Sequence, residues 1–404
     1  DLQRPLPRMY RVRQQFDEIR LEDVAGTVRA ELAKPEIRAL VKPGMRIAVG
    51  VGSRGIQNLY TIVETTVNSL KELGAEPFIV SAMGSHGGGT EEGQREVLAG
   101  YGITEERLGV PVVTTVDTVY LGNCANGRPV WFDRAAYEAD LIVPINRVKL
   151  HTDFVGSIQS GLCKMLVIGL GNHKGCSAVH EEAPEVFADA IEETARLILQ
   201  KAPVGFGIAI LENAYDKTYA VEAVPAEHLV EREKELVQIA KGNMPYIMLD
   251  EADVIVCGAI GKDISGAGFD PNILGRSSVL KQFVLHIPRY QRLVLCDVTP
   301  ASHGNGIGVG LFDVITKKVA EQLDLESMYA NAIACNCLGD ASVPCTVDDE
   351  ETAIRVALKC CRNIDRDHPR IIRIQNTLHL GEIEVSEALL DAVRADSRMS
   401  LIEN

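Results

Sequence analysis

Ala139-Asp140-Leu141-Ile142-Val143-Pro144-Ile145 runs directly into Asn146-Arg147-Val148-Lys149-Leu150-His151-Thr152-Asp153. The chain continues through Gly156-Ser157-Ile158-Gln159-Ser160-Gly161-Leu162-Cys163-Lys164 to Gly169-Leu170-Gly171-Asn172-His173-Lys174-Gly175 and His180. The apolar run predicts a buried strand, and a strand that empties into a loop rich in glycine and ionisable groups marks the ligand end of an open α/β sheet. Three of the nine histidines, three lysines and five glycines fall between Asn146 and His180. Glycine lets backbone approach a ligand closely. Lysine brings charge or an amine nucleophile, and histidine brings a metal ligand or an acid–base group near neutral pH. The plainer alternative is a glycine-rich loop carrying surface histidines.

Working outward, the strand–loop pattern recurs. Arg46-Ile47-Ala48-Val49-Gly50-Val51 reads as a buried parallel strand ending in Gly52-Ser53-Arg54-Gly55. A helix follows through Ile62, Val63, Val67, Leu70 and Leu73, capped by Gly74. The strand Glu76–Val80 ends in Met83-Gly84-Ser85-His86-Gly87-Gly88-Gly89-Thr90-Glu91-Glu92. Thr90 with two glutamates behind it predicts a helix start, and the glycines before it predict an anion-binding nest. The turn fits no Walker or Rossmann fingerprint. Arg54, His86, Gly87, Gly88 and Thr90 are therefore candidate ligand-binding residues.

Residues 1–35 lack a strong core pattern apart from a helix through Val28 and Leu32, and residues 110–137 read as short β elements. Downstream come a helix over Pro184–Leu199, a strand over Gly205–Leu211 and a charged helix over Leu229–Lys241. The glutamates and lysines of the last are expected to form a solvated face. The theme then restarts. Ala252–Gly258 is a strand leading to Gly261-Lys262-Asp263-Ile264-Ser265-Gly266, with Asp270-Pro271-Asn272 and Arg276 beyond. Leu293–Val298 leads to Ser302-His303-Gly304-Asn305. The expected fold class is α/β, with two Rossmann-like α/β domains and a cleft between them. Residues 1–248 would form a cofactor-binding N-terminal domain and residues 249–404 a domain that closes the cleft, its C-terminal segment free to return to the first.

A length of 404 residues supports two domains. The net charge of −15 argues against nucleic acid or an anionic membrane as the partner. No 18-residue apolar run or basic-plus-apolar leader is found, and ten cysteines lack disulfide-domain spacing, so a cytoplasmic protein with reduced thiols is expected. Cys257, Cys296, Cys360 and Cys361 are expected in the core. Cys335 and Cys337 lack a second pair, which argues against zinc. The chain begins with Asp1 rather than Met, so a missing start is expected.

There is no nucleophile elbow, no usefully spaced carboxylate pair and no HExxH. Several histidines with lysines and arginines suit an anionic small molecule that gains or loses a proton. Two imidazoles on opposite faces of one carbon suit racemisation or epimerisation, and a third suits a borderline metal such as nickel.

These residues resemble the nickel-pincer-nucleotide-dependent lactate racemase family, as a divergent 2-hydroxyacid racemase or epimerase homologue. The likeness rests on Gly84-Ser85-His86 with Thr90-Glu91-Glu92, and on His151 followed by Gly161-Leu162-Cys163-Lys164, Gly169 and His180. Arg54 resembles the arginine after the first strand. Gly261-Lys262-Asp263-Ile264-Ser265-Gly266 with Arg276 looks like a subgroup hallmark. The resemblance implies a nickel-pincer nucleotide, a pyridinium mononucleotide with two sulfur-bearing arms. It implies His180 as nickel ligand, with His173 the second choice, and His86 and His151 as the acid–base pair. Lys164, Arg54, Gly87, Gly88 and Thr90 would hold the cofactor; Arg54, Lys262 and Arg276 would hold the substrate. The interval from His151 to Lys164 is longer here than in lactate racemase, which leaves a covalent tether and an electrostatic contact both open for Lys164. Implied partners are a 2-hydroxy acid, the enzymes that mature the cofactor, and further copies of the chain. The competing expectations are a metal-independent sugar-acid epimerase or dehydratase, and a non-catalytic ligand-binding homologue.

Overall fold

A computed structural model describes residues 2–403, except for the side chain of Ala334. The strands in chain order are β1 (Met9–Gln14), β2 (Arg46–Val51), β3 (Glu76–Ser81), β4 (Val112–Val113), β5 (Thr118–Asn123), β6 (Pro129–Asp133), β7 (Leu141–Arg147) and β8 (Phe206–Glu212). They continue with β9 (Thr218–Pro225), β10 (Val254–Cys257), β11 (Arg292–Leu295), β12 (Val314–Thr316), β13 (Cys345–Val347), β14 (Ile371–Ile374), β15 (Glu382–Ser386) and β16 (Met399–Leu401). The chain divides into two compact units, residues 18–244 and residues 1–17 with 245–404.

In the unit of residues 18–244 the main sheet has the order β4-β3-β2-β7-β8-β9. The first five strands are parallel and β9 is antiparallel to β8. Five of the six residues of β2, and five of the six of β3, are buried. Their apolar runs are continuous because helices cover both faces of the sheet. One of these helices, Leu59–Glu72, buries Leu59, Ile62, Val63, Val67 and Leu70, matching the predicted 3.6-residue face. The chain leaves β2 to one side through β3 and β4, then returns to the other side as β7. This reversal is a topological switch point, where a crevice opens at the strands' carboxyl ends.

The other unit has an eight-stranded sheet, β13-β12-β11-β10-β14-β15-β1-β16. Strands β13, β12, β11, β10 and β14 are parallel, and β15, β1 and β16 are added antiparallel. Here the N-terminal segment departs from expectation. Rather than starting the first domain, Met9–Arg13 pairs with Glu382–Ser386, and buried Gln14 donates to the Tyr246 and Leu380 carbonyls while accepting from Met248 N. A single edge strand with few local apolar neighbours carries no signal for which sheet it completes. The C-terminal strand β16 stays in the same sheet on β1. One smaller expectation also changes. Cys360 is exposed while Cys257, Cys296 and Cys361 are buried, and all are free thiols. No described helix is long and apolar enough to cross a membrane.

Candidate active site

The carboxyl ends of β2, β3 and β7, on either side of the switch point, deliver Ser53-Arg54, His86 and the 148–160 loop. The loop after β3 is held from below by Gln94, which is fully buried on the helix Glu91–Gly100. Its Nε2 donates to the Gly84 carbonyl at 3.0 Å and its Oε1 accepts from Ser81 Oγ at 2.6 Å. Gly87, Gly88 and Gly89 all have positive φ. A Cβ on Gly87 would stand 2.6 Å from Gly93 C and Gln94 N, so only glycine lets the loop close on its helix. Thr90 is taken up by capping: its hydroxyl accepts from Gly93 N and donates to the Gly87 carbonyl. The exposed His86 places Nδ1 2.5 Å from Ser53 Oγ, a partner that sequence reading did not find.

His151 sits in a loop closed by the Lys149–Ser160 bridge, and its backbone N–H donates to Gln159 Oε1 at 2.7 Å. Its ring stacks on Phe154 with centroids 4.3 Å apart. Nδ1 accepts from Asp153 N–H at 3.1 Å, and Nε2 lies 2.6 Å from Lys164 Nζ. At the Nε2–Nζ contact the tautomer sets the donor: an ammonium donates to an unprotonated Nε2, and a neutral amine accepts from a protonated one. Burial, then Lys164, Arg54 and His180, push His151 well below the usual imidazole range. Burial and Arg54 lower Lys164 to about 8. Arg54 keeps solvent contact at the rim, yet desolvation by surrounding atoms and then Arg147 lower its pKa too.

The segment after the loop is helical rather than the open glycine-rich run expected. It comprises a helical turn, Leu162–Lys164, a π-helical turn, Met165–Gly169, and a helix, Asn172–His180. Buried Leu162, Cys163, Met165, Leu166, Val167 and Leu170 draw it into the core. Isolated π turns are concentrated at functional sites. The first turn is capped from a distance: Glu233 Oε2 accepts Leu162 N–H at 2.5 Å and Cys163 N–H at 3.0 Å. Gly161 makes room for it, since a Cβ there would lie 2.6 Å from the carboxyl carbon. Glu233 is fully buried, which corrects the solvated reading of its helix. Burial raises it to about 7 despite the two backbone N–H donors. A charged residue on a charged helix gives no sequence signal that it faces inward.

His180 is exposed at the end of its helix and places Nδ1 2.7 Å from the Cys176 carbonyl. That bond has Nδ1 donating to the carbonyl, which makes Nε2 the ring nitrogen that would meet a metal. Cys176 Sγ is 3.5 Å from the same ring nitrogen and 3.9 Å from Ser85 Oγ. Its bonding raises the His180 pKa, while His180 and Ser85 lower that of the thiol against burial. Phe187 contacts both His180 and Phe154, centroids 5.1 and 4.8 Å away, and so links the two imidazoles through aromatic contacts. Buried Arg128 forks between Glu182 and Glu193, tying the segment just after His180 to the helix Phe187–Lys201. His173 is exposed on the same helix face about two turns away, roughly 10 Å, too far to share one ion with His180. Among the described residues no group of three or more His, Cys, Asp or Glu could hold a metal alone.

Arg54, His86, His151, Lys164 and His180 therefore belong to one neighbourhood of one unit. Lys262 and Arg276 belong to the other unit. Lys262 Nζ donates to the Gly266 carbonyl at 2.7 Å and to Asn331 Oδ1. Arg276 pairs with Asp313 at 2.7 Å, donates to the Leu311 carbonyl and lies over the Tyr290 ring. His303 adopts a left-handed turn conformation, φ 48°.

The class of protein is thus a two-unit doubly wound α/β protein with a histidine–lysine site at one switch point. Residues 10–189 match the family described as the lactate racemase N-terminal domain. The fold is similar to that of the lactate racemase apoprotein from Thermoanaerobacterium thermosaccharolyticum. The two are 14% identical, over 91% of this chain and 93% of that chain, with a TM-score of 0.55. A protein from Thermotoga maritima matches at 13% identity over 87% of each chain, with a TM-score of 0.48. No curated protein matches the chain in sequence.

Proposed function

We propose that the chain is a 2-hydroxyacid racemase or epimerase acting at C2 with a nickel-pincer nucleotide. The observation that carries this reading is the grouping of imidazoles and an amine at one switch point: His151 Nε2 lies 2.6 Å from Lys164 Nζ, and His180 is oriented through Nδ1 by the Cys176 carbonyl. The donor set fits the group. His180 would be the protein's ligand to nickel, and the nucleotide's own carbon and sulfur atoms would complete the ion's surroundings. Lys164 would meet a sulfur-bearing arm, and the Gly87–Gly89 turn with Arg54 would meet its phosphate. When bound, the cofactor supplies the hydride-accepting centre that no side chain here provides.

The chain's own residues bind, orient and move protons. Arg54 receives the substrate carboxylate. His151, uncharged near neutral pH, accepts the hydroxyl proton as the α-carbon becomes a carbonyl carbon, and returns it in the reverse step. His86, held by Ser53, does the same for the opposite enantiomer. Lys262 and Arg276 lie in the other unit and are engaged by their own neighbours, so they take no part in this reading.

The test uses protein produced together with the cofactor-maturation enzymes and presented with resolved 2-hydroxy acids. We expect inversion at C2, at least a hundredfold loss for His86→Asn and for His151→Asn, and loss of bound nickel in His180→Ala. Full turnover by chelator-treated, nucleotide-free protein would overturn the reading.

A further inference from the structure

The surroundings of Lys164 also suit chemistry that needs no metal. We propose that Lys164 of the nucleotide-free chain condenses with 2-oxo acids to form a Schiff base, with Arg54 receiving the carboxylate and His151 the proton traffic. A lysine becomes a carbonyl nucleophile when it is neutral, sheltered from water and close to an acid–base group. All three conditions meet here. Lys164 Nζ lies 2.6 Å from His151 Nε2, on a ring oriented by Asp153 N–H at Nδ1, so an imidazole stands within proton-transfer distance of the amine. The side chain stands on a turn anchored at its start by Glu233, so the amine is held in place. Its ordinary pKa of 10.5 is brought down to about 8 by burial and Arg54, which keeps a usable neutral fraction near physiological pH. The carboxylate requirement follows from Arg54, the guanidinium with the strongest effect on both Lys164 and, after Lys164 itself, on His151. A ketone without an acid group would lack that anchor.

The step balances without an oxidant. The amine lone pair forms an N–C bond to the keto carbon while the C=O π pair moves to oxygen, and one of the two amine protons passes by way of His151 Nε2 to that oxygen, giving the carbinolamine. A solvent proton then lets the C–O bond leave as water while the nitrogen lone pair forms the C=N bond. One amine, one 2-oxo acid and one proton give one iminium and one water. The inference does not depend on nickel or on racemase turnover, so either can fail without the other.

The experiment treats the full chain, purified without nucleotide, with pyruvate and cyanoborohydride, the latter supplying the hydride that traps the imine. Peptide mapping then compares Lys164 with Lys149 and Lys174 in the same molecules. We expect Lys164 to be labelled at least tenfold faster than either, with the rate rising with pH to a plateau above about 8. Acetone should label it much less, and His151→Gln should slow labelling by about a hundredfold. Lys164→Arg should remove the adduct with the circular dichroism spectrum unchanged. Equal labelling of the three lysines in the unmutated chain would overturn the proposal without reference to any variant. So would equal rates with pyruvate and acetone.

Discussion

The two units place the same residue types at the same kind of strand end, yet leave them in opposite states. In residues 18–244, Lys164 stands beside the His151 imidazole with Arg54 nearby, so burial and a like charge oppose its positive charge. In the other unit, Lys262 finds a carbonyl and an amide oxygen, and Arg276 finds a carboxylate, a carbonyl and a ring face. A cation surrounded by acceptors contributes to stability. A cation buried beside a like charge costs stability and becomes reactive. What separates a structural cation from a chemical one is its surroundings, not its residue type.

This contrast can be broken at several points, beginning with the largest effect. Glu233→Ala should cost about 3–5 kcal/mol by chemical denaturation, because it orphans the Leu162 and Cys163 N–H groups and opens a cavity under Lys164. Glu233→Gln keeps one acceptor and isolates the titration. A buried acid raised from 4.5 to about 7 has its full stability below 4.5, and loses it as pH rises through 7. Relative to Glu233→Gln, the unmutated chain should therefore lose about 3 kcal/mol between those values, and a constant difference would count against the raised pKa.

The reverse sign applies to Lys164. Lowered from 10.5 to about 8, it carries its full penalty below pH 8 and sheds it toward 10.5. Lys164→Met should be more stable than the unmutated chain at pH 7 by up to about 3 kcal/mol, with the gap closing by pH 10.5. Equal urea midpoints at pH 7 would show that the amine is not opposed. Arg276→Ala should lower stability by about 2 kcal/mol through its broken ion pair with Asp313. It should leave pyruvate trapping at Lys164 unchanged. Ser53→Ala should cost about 1 kcal/mol or less. Its effect should show instead as a moved His86 Nδ1 resonance by NMR, since Nδ1 loses its hydroxyl partner.

Much of the fold was legible because it was local. Strands β2, β3, β7 and β8 announce themselves as apolar runs, and the helix Leu59–Glu72 as a periodic face. The positions of Arg54, His86 and His151 just past strand ends followed from the same reading, because loops at strand carboxyl ends gather at a switch point. Glu233, Ser53 and Arg128 stayed hidden. Their roles depend on partners far along the chain, such as Leu162 at a separation of 71 residues and His86 at 33. The helical course of Leu162–His180 was masked by glycines that serve close packing as well as loop freedom.

The sequence by itself determined which elements form, and which ionisable groups lie at their ends, since period and turn chemistry act over a few residues. Tertiary structure alone decided that Met9–Gln14 completes the sheet of residues 245–404, that a glutamate from a charged helix caps the turn of Lys164, and that His151 and Lys164 meet. Protonation depends on desolvation and on the nearest charges in space, and neither is written in the order of residues along the chain.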